Sequence, residues 1–190
     1  MKVPALPTKL VSLTVAILAV GCSKPPPPSV AKSPVGNVPA QTSTDFFSAL
    51  AGQLVIFQKD AFVPYVQTGP RVAFTAIYYS AHWCPPCRAF TPKLVEWYKD
   101  FKPKHPNFEL IFVSRDKDEA AQVDYMKETG MPWPAVKLSE SKEDSFGKYA
   151  ADGIPYLVLI DSEGKDLTGK PGNDWQPPAE VLKKIEGLVK

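Results

Sequence analysis

The sequence contains few cysteines and histidines and only short apolar runs. Its 190 residues include three cysteines and two histidines, which is too few for the paired Cys and His clusters of an ordinary structural zinc site. The apolar run from Leu10 to Val20 covers eleven residues, whereas a helix that spans a bilayer needs about 20. With 44% apolar and 22% charged residues, the chain has the composition of a globular domain rather than of a polytopic membrane protein.

The sequence also lacks an excess of basic charge in its main part. The net charge is +2, but the first 45 residues carry four of the 22 basic residues and one of the 20 acidic residues. From Phe46 onward, 18 basic residues face 19 acidic ones. Because nucleic-acid binding requires a basic surface, we expect no nucleic-acid partner.

The first 21 residues have the pattern of an export signal. Lys2 and Lys9 precede the apolar run, no acidic residue is present, and Gly21 and Cys22 follow it. This order is typical of a bacterial-type signal peptide. The end of the segment resembles a lipoprotein signal, in which the cysteine becomes the lipid-modified first residue of the mature chain. Lipidation of Cys22 is therefore expected, with plain cleavage or an unprocessed leader as the alternatives.

Residues 22–45 are predicted to form a flexible tether. The stretch from Ser23 to Thr44 contains six prolines, four of them consecutive, and no aromatic residue. Such a composition cannot bury enough apolar surface to fold. Consecutive prolines favour an extended polyproline helix, so the tether could hold a domain some tens of ångströms from a membrane at about 3.1 Å per residue.

Cys84 and Cys87 form the one Cys-x-x-Cys pair of the sequence. A zinc site would need a second pair, and only His82 and His105 are available as further nitrogen ligands. A purely structural disulfide across so short a loop would stabilise the fold by only about 2 kcal/mol. A redox role explains the pair better, and no metal is expected.

The apolar patterns on both sides of the pair predict strands that alternate with helices. Continuous β-branched and aromatic runs indicate buried strands, whereas apolar residues spaced by three and four indicate helices. The expected strands are 72–80, 108–114 and 156–160, and the expected helices are 85–101, 119–128 and 178–189. This order favours an α/β domain over residues 46–190, with a central mixed β-sheet flanked by helices in three layers.

At this point a resemblance to a known family becomes specific. Two motifs, one at a strand-to-helix turn and one before a late strand, resemble the thioredoxin fold and its active-site signature: Trp83-Cys84-Pro85-Pro86-Cys87-Arg88 and Gly153-Ile154-Pro155. Within that fold, further stretches resemble the tryparedoxin and nucleoredoxin branch: Tyr79-Ser80-Ala81, Phe90-Thr91-Pro92, Phe112-Val113-Ser114-Arg115-Asp116 and Met131-Pro132-Trp133.

The motif places Cys84 at the amino end of a helix, where unpaired N–H groups and the helix dipole favour a thiolate. We therefore expect Cys84 to be exposed, to have a thiol pKa below the usual value and to act as the nucleophile. Pro85 and Pro86 take the first two helical positions, so only the amide of Cys87 can donate to Cys84. Cys87, one turn later, is expected to be shielded and to resolve the mixed disulfide.

Neighbouring residues are assigned supporting roles. Trp83 is expected to shield the disulfide and contact partners, unless it belongs to the core. The resemblance implies that Pro155 is a cis proline beside the disulfide and that Ile154 pairs its backbone with an incoming peptide. For Tyr78 a role in proton transfer is open beside core packing, and for His82 stabilisation of the thiolate is open beside simple solvation.

The resulting prediction is a thiol-disulfide oxidoreductase of the cell envelope or periplasm, anchored to a membrane by lipid. It would act as a monomer on protein thiols and disulfides, with an unidentified electron donor or acceptor and no bound cofactor. Two alternatives stay open. One is the thioredoxin-like reductase type of cytochrome maturation, and the other is a non-enzymatic copper-binding or scaffold module.

Overall fold

A computed structural model of the chain describes residues 45–141, 144–169 and 174–190. The expected signal peptide, Cys22 and all of the expected tether except Asp45 lie outside these ranges.

The strands are β1 (Leu54–Gln58), β2 (Ala61–Pro64), β3 (Phe74–Ser80), β4 (Phe108–Ser114), β5 (Ala135–Val136) and β6 (Tyr156–Asp161). The helices are α1 (Phe46–Ala49), α2 (Pro85–Phe101), α3 (Glu119–Thr129), α4 (Asp144–Gly147) and α5 (Pro178–Leu188), with a 3-10 turn at Lys102–Lys104. Among the described helices, none has the length and apolarity of a membrane span.

The six strands form one mixed sheet in the order β2-β1-β5-β4-β3-β6. Strand β3 runs parallel to β4, and β4 runs parallel to β5. Strand β6 pairs antiparallel with β3, and β1 pairs antiparallel with both β2 and β5. The apolar runs of β3 and β4 thus occupy the centre of the sheet, where both faces are covered, whereas the apolar run of β6 forms one edge.

Alternate residues of the central strands point to two separate apolar layers. Tyr78 on β3 packs with α2, α3 and α5 on one face, whereas its neighbours Ile77 and Tyr79 pack with α1 and α4 on the other. Side chains alternate across a strand with a period of two, so a continuous apolar run serves both layers. The three-layer α/β arrangement predicted from the sequence is confirmed.

The predicted elements are found within one or two residues of their expected ends. Strand β4 and helix α2 have the expected bounds, β3 begins at Phe74 rather than at residue 72, and α5 ends at Leu188. Helix α3 continues one residue further than expected, to Thr129, and ends at Gly130, whose φ of 64° is the left-handed conformation that glycine adopts readily.

The β1–β2 hairpin was not predicted. Its two turn residues, Lys59 and Asp60, both have positive φ angles, of 49° and 64°. Two-residue turns of this kind usually contain the dipeptide Asn-Gly or Asp-Gly. Neither dipeptide is present here, so the turn carries no strong local signal.

Candidate active site

The candidate site lies where the central strand β3 ends and helix α2 begins. Cys84 is the N-cap of α2, with extended backbone angles, and Pro85 and Pro86 occupy the first helical positions. The Cys87 amide donates a hydrogen bond to Cys84 Sγ over 3.3 Å. This is the single cap contact that the two prolines predict, because neither of them can contribute an amide hydrogen that reaches the sulfur.

Cys84 and Cys87 are joined in a disulfide with an S–S distance of 2.11 Å and a Cα–Cα distance of 5.2 Å. Cys87 is fully buried, as expected, but Cys84 is only 3% exposed. The expectation of an exposed Cys84 is therefore wrong for the disulfide form. Its sulfur is covered because it is bonded to Cys87 on one side and lies 3.8 Å from the carbonyl oxygen of Ile154.

The loop that carries Ile154 reaches the cysteine pair through the sheet. Strand β6 begins directly after Pro155, and its first residue, Tyr156, pairs with Tyr79 near the end of β3. The start of β6 therefore lies beside the end of β3, where Cys84 follows. The peptide bond between Ile154 and Pro155 is cis, as the resemblance implied.

Trp83 is not a core residue. Its side chain is 62% exposed, and its indole N–H donates to the carbonyl oxygen of Arg115 over 3.1 Å. Trp83 also lines an open cleft of about 700 Å³, together with His82, Arg88, Asp116, Lys117, Asp118 and Ala121. The tryptophan thus presents an apolar surface next to the cysteine pair.

His82 is held by contacts that do not involve the cysteines. Its Nε2 lies 2.9 Å from a carboxylate oxygen of Glu128, and its ring stacks on Tyr125 at 5.7 Å between centroids. The His82 backbone N–H donates to Asp116 over 2.8 Å. These contacts position the turn that leads into Cys84.

Tyr78 belongs to a buried group of hydroxyls beneath the cysteine pair. Its hydroxyl lies 2.8 Å from the Thr91 hydroxyl, which also contacts the Tyr125 hydroxyl at 2.5 Å and donates to the Cys87 carbonyl over 2.9 Å. The Tyr125 hydroxyl lies 2.9 Å from the Ser80 hydroxyl. The network therefore ties α2 to β3 and α3 directly behind the disulfide.

The hydrogen positions in this network follow from counting donors. A threonine hydroxyl has one hydrogen, and that of Thr91 is donated to the carbonyl of Cys87, so Tyr78 and Tyr125 must both donate to Thr91. Burial, with a smaller effect of the nearby Tyr125, raises the pKa of Tyr78 well above its usual value. Tyr78 thus keeps its proton and anchors the helix, which is the core-packing alternative stated above.

Comparison with known proteins places this geometry in a family. Residues 73–165 match the family described as thioredoxin-like. A probable nucleoredoxin 1 of Arabidopsis thaliana is 43% identical over 119 residues, which cover 58% of this chain and 20% of that protein. A tryparedoxin of Trypanosoma brucei brucei is 38% identical over 98 residues, which cover 49% of this chain and 64% of the tryparedoxin.

The structural comparison is more complete. The crystal structure of a thioredoxin from Wuchereria bancrofti superimposes with a TM-score of 0.53 and 32% identity, over 74% of this chain and 98% of that one. The chain belongs to the thioredoxin-like family. Its fold is thioredoxin-like, and the chain is homologous to nucleoredoxins and tryparedoxins.

The matches leave part of each curated relative unmatched. The chain corresponds to a fifth of the Arabidopsis nucleoredoxin and to just under two thirds of the tryparedoxin. What those whole proteins act on is therefore carried to this member of the thioredoxin-like family only as a proposal.

Sequence reasoning missed several residues of the site. The sequence identifies Thr91 only as part of the Phe90-Thr91-Pro92 motif, and it gives no signal for Tyr125 or Trp175. Trp175 donates its indole N–H to the carbonyl of Pro155 over 2.9 Å, although 20 residues separate the two in this thioredoxin-like chain. No local pattern announces such a contact. Among the described residues, no group of three or more His, Cys, Asp or Glu side chains is arranged to hold a metal ion.

Proposed function

We propose that the protein is a thiol-disulfide oxidoreductase that exchanges a dithiol for a disulfide with partner proteins through Cys84 and Cys87. The observation that carries the proposal is the position of Cys84. Its sulfur caps the amino end of a 17-residue helix, accepts the Cys87 amide hydrogen and is bonded to the Cys87 sulfur. The two thiols of the reduced form would lie at the same place, one turn apart.

This position suits Cys84 to act as the nucleophile. The helix amino end carries a partial positive charge, and the amide that points at the sulfur stabilises a thiolate by a charge-assisted hydrogen bond. Cys87 lies inside the helix and is fully buried. Cys84 is 3% exposed at the start of the helix, whereas Cys87 has no exposed surface. This difference suits Cys84 to meet the partner and Cys87 to resolve the intermediate.

In the reducing direction the reaction has two steps. The Cys84 thiolate attacks one sulfur of a partner disulfide, forms a mixed disulfide and displaces the other partner sulfur as a thiolate, which takes up a proton. Cys87 then loses its proton and attacks Cys84 Sγ, which releases the first partner sulfur as a second thiol. Two electrons and two protons pass to the partner, and a dithiol reductant must return them to the Cys84–Cys87 disulfide.

Residues around the sulfur supply the contact surface for the partner. Trp83 offers an exposed indole, Pro85 and Pro86 are exposed at the helix start, and Ile154 brings its backbone to within 3.8 Å of Cys84 Sγ. In the part of the chain that the structure describes, the Ile154 N–H has no backbone hydrogen-bond partner. An extended peptide that pairs with Ile154 would pass directly over the reactive sulfur.

We also propose that this reaction takes place in a bacterial cell envelope, with the domain tethered to a membrane. The support is the order of the N-terminal sequence: two lysines, a short apolar run, Cys22, and a proline-rich segment that leads to the folded part. Lipidation of Cys22 would leave Cys84 and Cys87 as the two remaining cysteines of the sequence, which suits a single redox pair.

Trapping the intermediate tests the mechanism. Cys87→Ser retains the nucleophile but lacks the resolving thiol, so it should accumulate a covalent complex with a disulfide-bearing protein such as insulin. The complex should be visible on non-reducing gels and dissolve on addition of dithiothreitol. Cys84→Ser should form no complex, and the reduced wild type should turn over insulin without accumulating one.

The opposite pattern would reverse the assignment of the two cysteines. If neither variant trapped a partner while the wild type turned over, exchange through this pair would be the wrong mechanism. If the wild type reduced neither insulin nor a small disulfide, the proposed function itself would be wrong. Serine is similar in size to cysteine, so unchanged urea midpoints of the reduced proteins serve as the control for folding.

A further inference from the structure

Trp175 is an exposed residue that the chemistry above does not use. Among the described residues, four large apolar side chains are prominently exposed: Val66, Trp83, Trp175 and Leu188. Both tryptophans of this group contact the surroundings of the cysteine pair. Trp83 precedes Cys84, and Trp175, at 46% exposure, donates its indole N–H to the carbonyl oxygen of Pro155 over 2.9 Å. The two indoles thus approach the site from different parts of the chain.

The indole of Trp175 lies directly on the backbone of the loop formed by residues 153–155. A Cβ atom placed on Gly153 would lie 3.0 Å from Trp175 Cδ1, closer than ordinary van der Waals contact. Gly153 does not have the positive φ that explains Gly52, Gly130 and Gly164. The close approach of the indole is therefore the structural reason for a glycine at position 153.

The segment that carries Trp175 is fixed by hydrogen bonds of the buried residue that follows it. The next residue, Gln176, is fully buried, donates its side-chain amide to the Thr168 carbonyl over 2.7 Å and accepts from Lys184 on α5 over 2.8 Å. The Thr168 hydroxyl in turn accepts the Leu159 amide of β6 over 2.7 Å. Trp175 is thus held in place by both α5 and β6, so its indole is pre-positioned.

We propose that Trp175 clasps the 153–155 loop and, with its exposed face, contacts an extended polypeptide segment of a disulfide-bearing partner protein. The inference deepens the proposed function and rests on it. The loop that the indole holds places the Ile154 carbonyl 3.8 Å from Cys84 Sγ, so the position of Trp175 decides how a chain beside Ile154 lies over the sulfur. Exposed tryptophans in a rigid setting are the side chains that most often dominate a protein interface.

This role separates protein partners from small disulfides. A small disulfide needs only access to Cys84 Sγ, whereas a polypeptide also covers the surface on each side of the sulfur. Loss of the indole should therefore slow the reaction with a protein disulfide and leave the reaction with a small disulfide nearly unchanged. A purely structural role would lower both rates together.

The experiment compares reduced wild type, Trp175→Ala and Trp175→Phe in single-turnover reduction of insulin and of glutathione disulfide. Trp175→Ala should slow insulin reduction by about tenfold or more, the usual effect of truncating a dominant interface residue, and should change the glutathione disulfide rate less than about twofold. Trp175→Phe keeps an apolar ring but loses the N–H donor, so its rate of insulin reduction should lie between the rates of the wild type and Trp175→Ala.

Trp97→Phe is the matched control. Trp97 also donates its indole N–H to one acceptor, Glu186, over 2.8 Å, but it lies about 20 Å along α2 from Cys84 at 1.5 Å per residue. It should leave both rates unchanged. An insulin rate lowered as much in Trp97→Phe as in Trp175→Phe would overturn the proposal.

A second variant tests the clasp without removing the indole. Gly153→Ala places a methyl group against Trp175 and should slow insulin reduction by the otherwise unchanged protein. In Trp175→Ala, the same change should lower the insulin rate little further. Independent losses in the two backgrounds would contradict the clasp. The inference would be overturned if Trp175→Ala slowed the reduction of insulin and of glutathione disulfide equally, or slowed neither. In either case an active wild type would still support the proposed function. A wild type inactive on both substrates would overturn both.

Discussion

At the scale of single residues, the hydroxyl of Thr91 connects helix α2 with strand β3 and helix α3. It donates to the Cys87 carbonyl on its own helix and accepts from Tyr78 on β3 and Tyr125 on α3. All of these groups are buried, so each hydrogen bond lost leaves a polar group without water. The residue that fixes the helix behind the disulfide is therefore a threonine of no evident chemical role.

Thr91→Val should destabilise the oxidised protein by about 1 to 3 kcal/mol, because the Tyr78 hydroxyl loses its partner in the network and stays buried. Urea unfolding monitored by fluorescence measures the change. Thr91→Ser keeps the hydroxyl and removes one methyl group, so it should cost only about 1 kcal/mol.

A double-mutant cycle tests the cause of that loss. Tyr78→Phe removes the hydroxyl that Thr91→Val would leave unpaired, so the two changes together should cost less than their sum. Additive effects would show that the Tyr78–Thr91 hydrogen bond is not the source of the stability.

At the scale of elements, the short helix α1 depends on the residue that precedes it. Asp45 accepts the backbone N–H and the hydroxyl of Ser48 and pairs with Arg71 at 3.1 Å. Burial acts to raise the pKa of Asp45, but the hydrogen bonds from Ser48 and the guanidinium of Arg71 outweigh it and lower the pKa. The last residue of the expected tether is thus the N-cap of α1.

The sign of the pKa shift predicts a pH dependence. A carboxyl whose pKa is lower in the folded than in the unfolded state stabilises the fold above its unfolded value of about 3.9, and this stabilisation is lost as the pH falls through the folded value. Asp45→Asn keeps a good N-cap residue but cannot ionise. The wild type should therefore be more stable than Asp45→Asn at pH 7. The difference should begin to shrink as the pH falls below about 4, and it should vanish once the pH lies below the lowered pKa of the folded state.

Urea midpoints between pH 2 and pH 7 measure that difference. Asp45→Ala, which loses the cap as well, should be less stable than wild type at pH 7 by about 0.5 to 2 kcal/mol. Adding Arg71→Gln to both proteins should shrink the stability gap between wild type and Asp45→Asn, since it removes one of the groups that lower the pKa. A gap that stayed constant down to pH 2 would argue against a stabilising ionised carboxylate.

At the scale of the whole molecule, the proposed anchor and the redox domain are joined by a segment that the sequence predicts to be extended. Cys22 lies at the start of that segment, whereas Cys84 and Cys87 are buried in the folded part. The three cysteines therefore have separate proposed tasks, one in attachment and two in exchange. This separation makes the attachment testable by itself.

The full chain expressed in bacteria should partition into detergent and incorporate labelled palmitate, and Cys22→Ala should abolish both, because the lipid on Cys22 is the proposed membrane attachment. Multiple acyl chains hold a protein firmly, whereas a single chain binds only marginally. Cys84→Ala is the matched control and should label like wild type. Labelling that persists in Cys22→Ala would refute the anchor.

Much of the fold was predictable because its signals are local. The runs that became β3, β4 and β6 are largely apolar, and those of α2 and α5 have helical spacing, so each indicates its own structure within a few residues. The β1–β2 hairpin was not predicted because Lys59 and Asp60 are atypical turn residues. Strand β5 was not predicted because its two residues are too few to show a period.

The sequence by itself determined the chemistry of the site: a cysteine at a helix start, two prolines that restrict its hydrogen bonding, and a second cysteine one turn later. These features depend only on residues 83–88 and on the geometry of a helix terminus. The tertiary structure alone decided what surrounds them. Ile154 lies 70 positions from Cys84 and meets it because β6 pairs antiparallel with β3, and Trp175 reaches the same loop because Gln176 is buried against α5 and the β6 edge. Such contacts follow from which strands pair and which helices cover them, and these are properties of the packed chain that no short stretch of sequence carries.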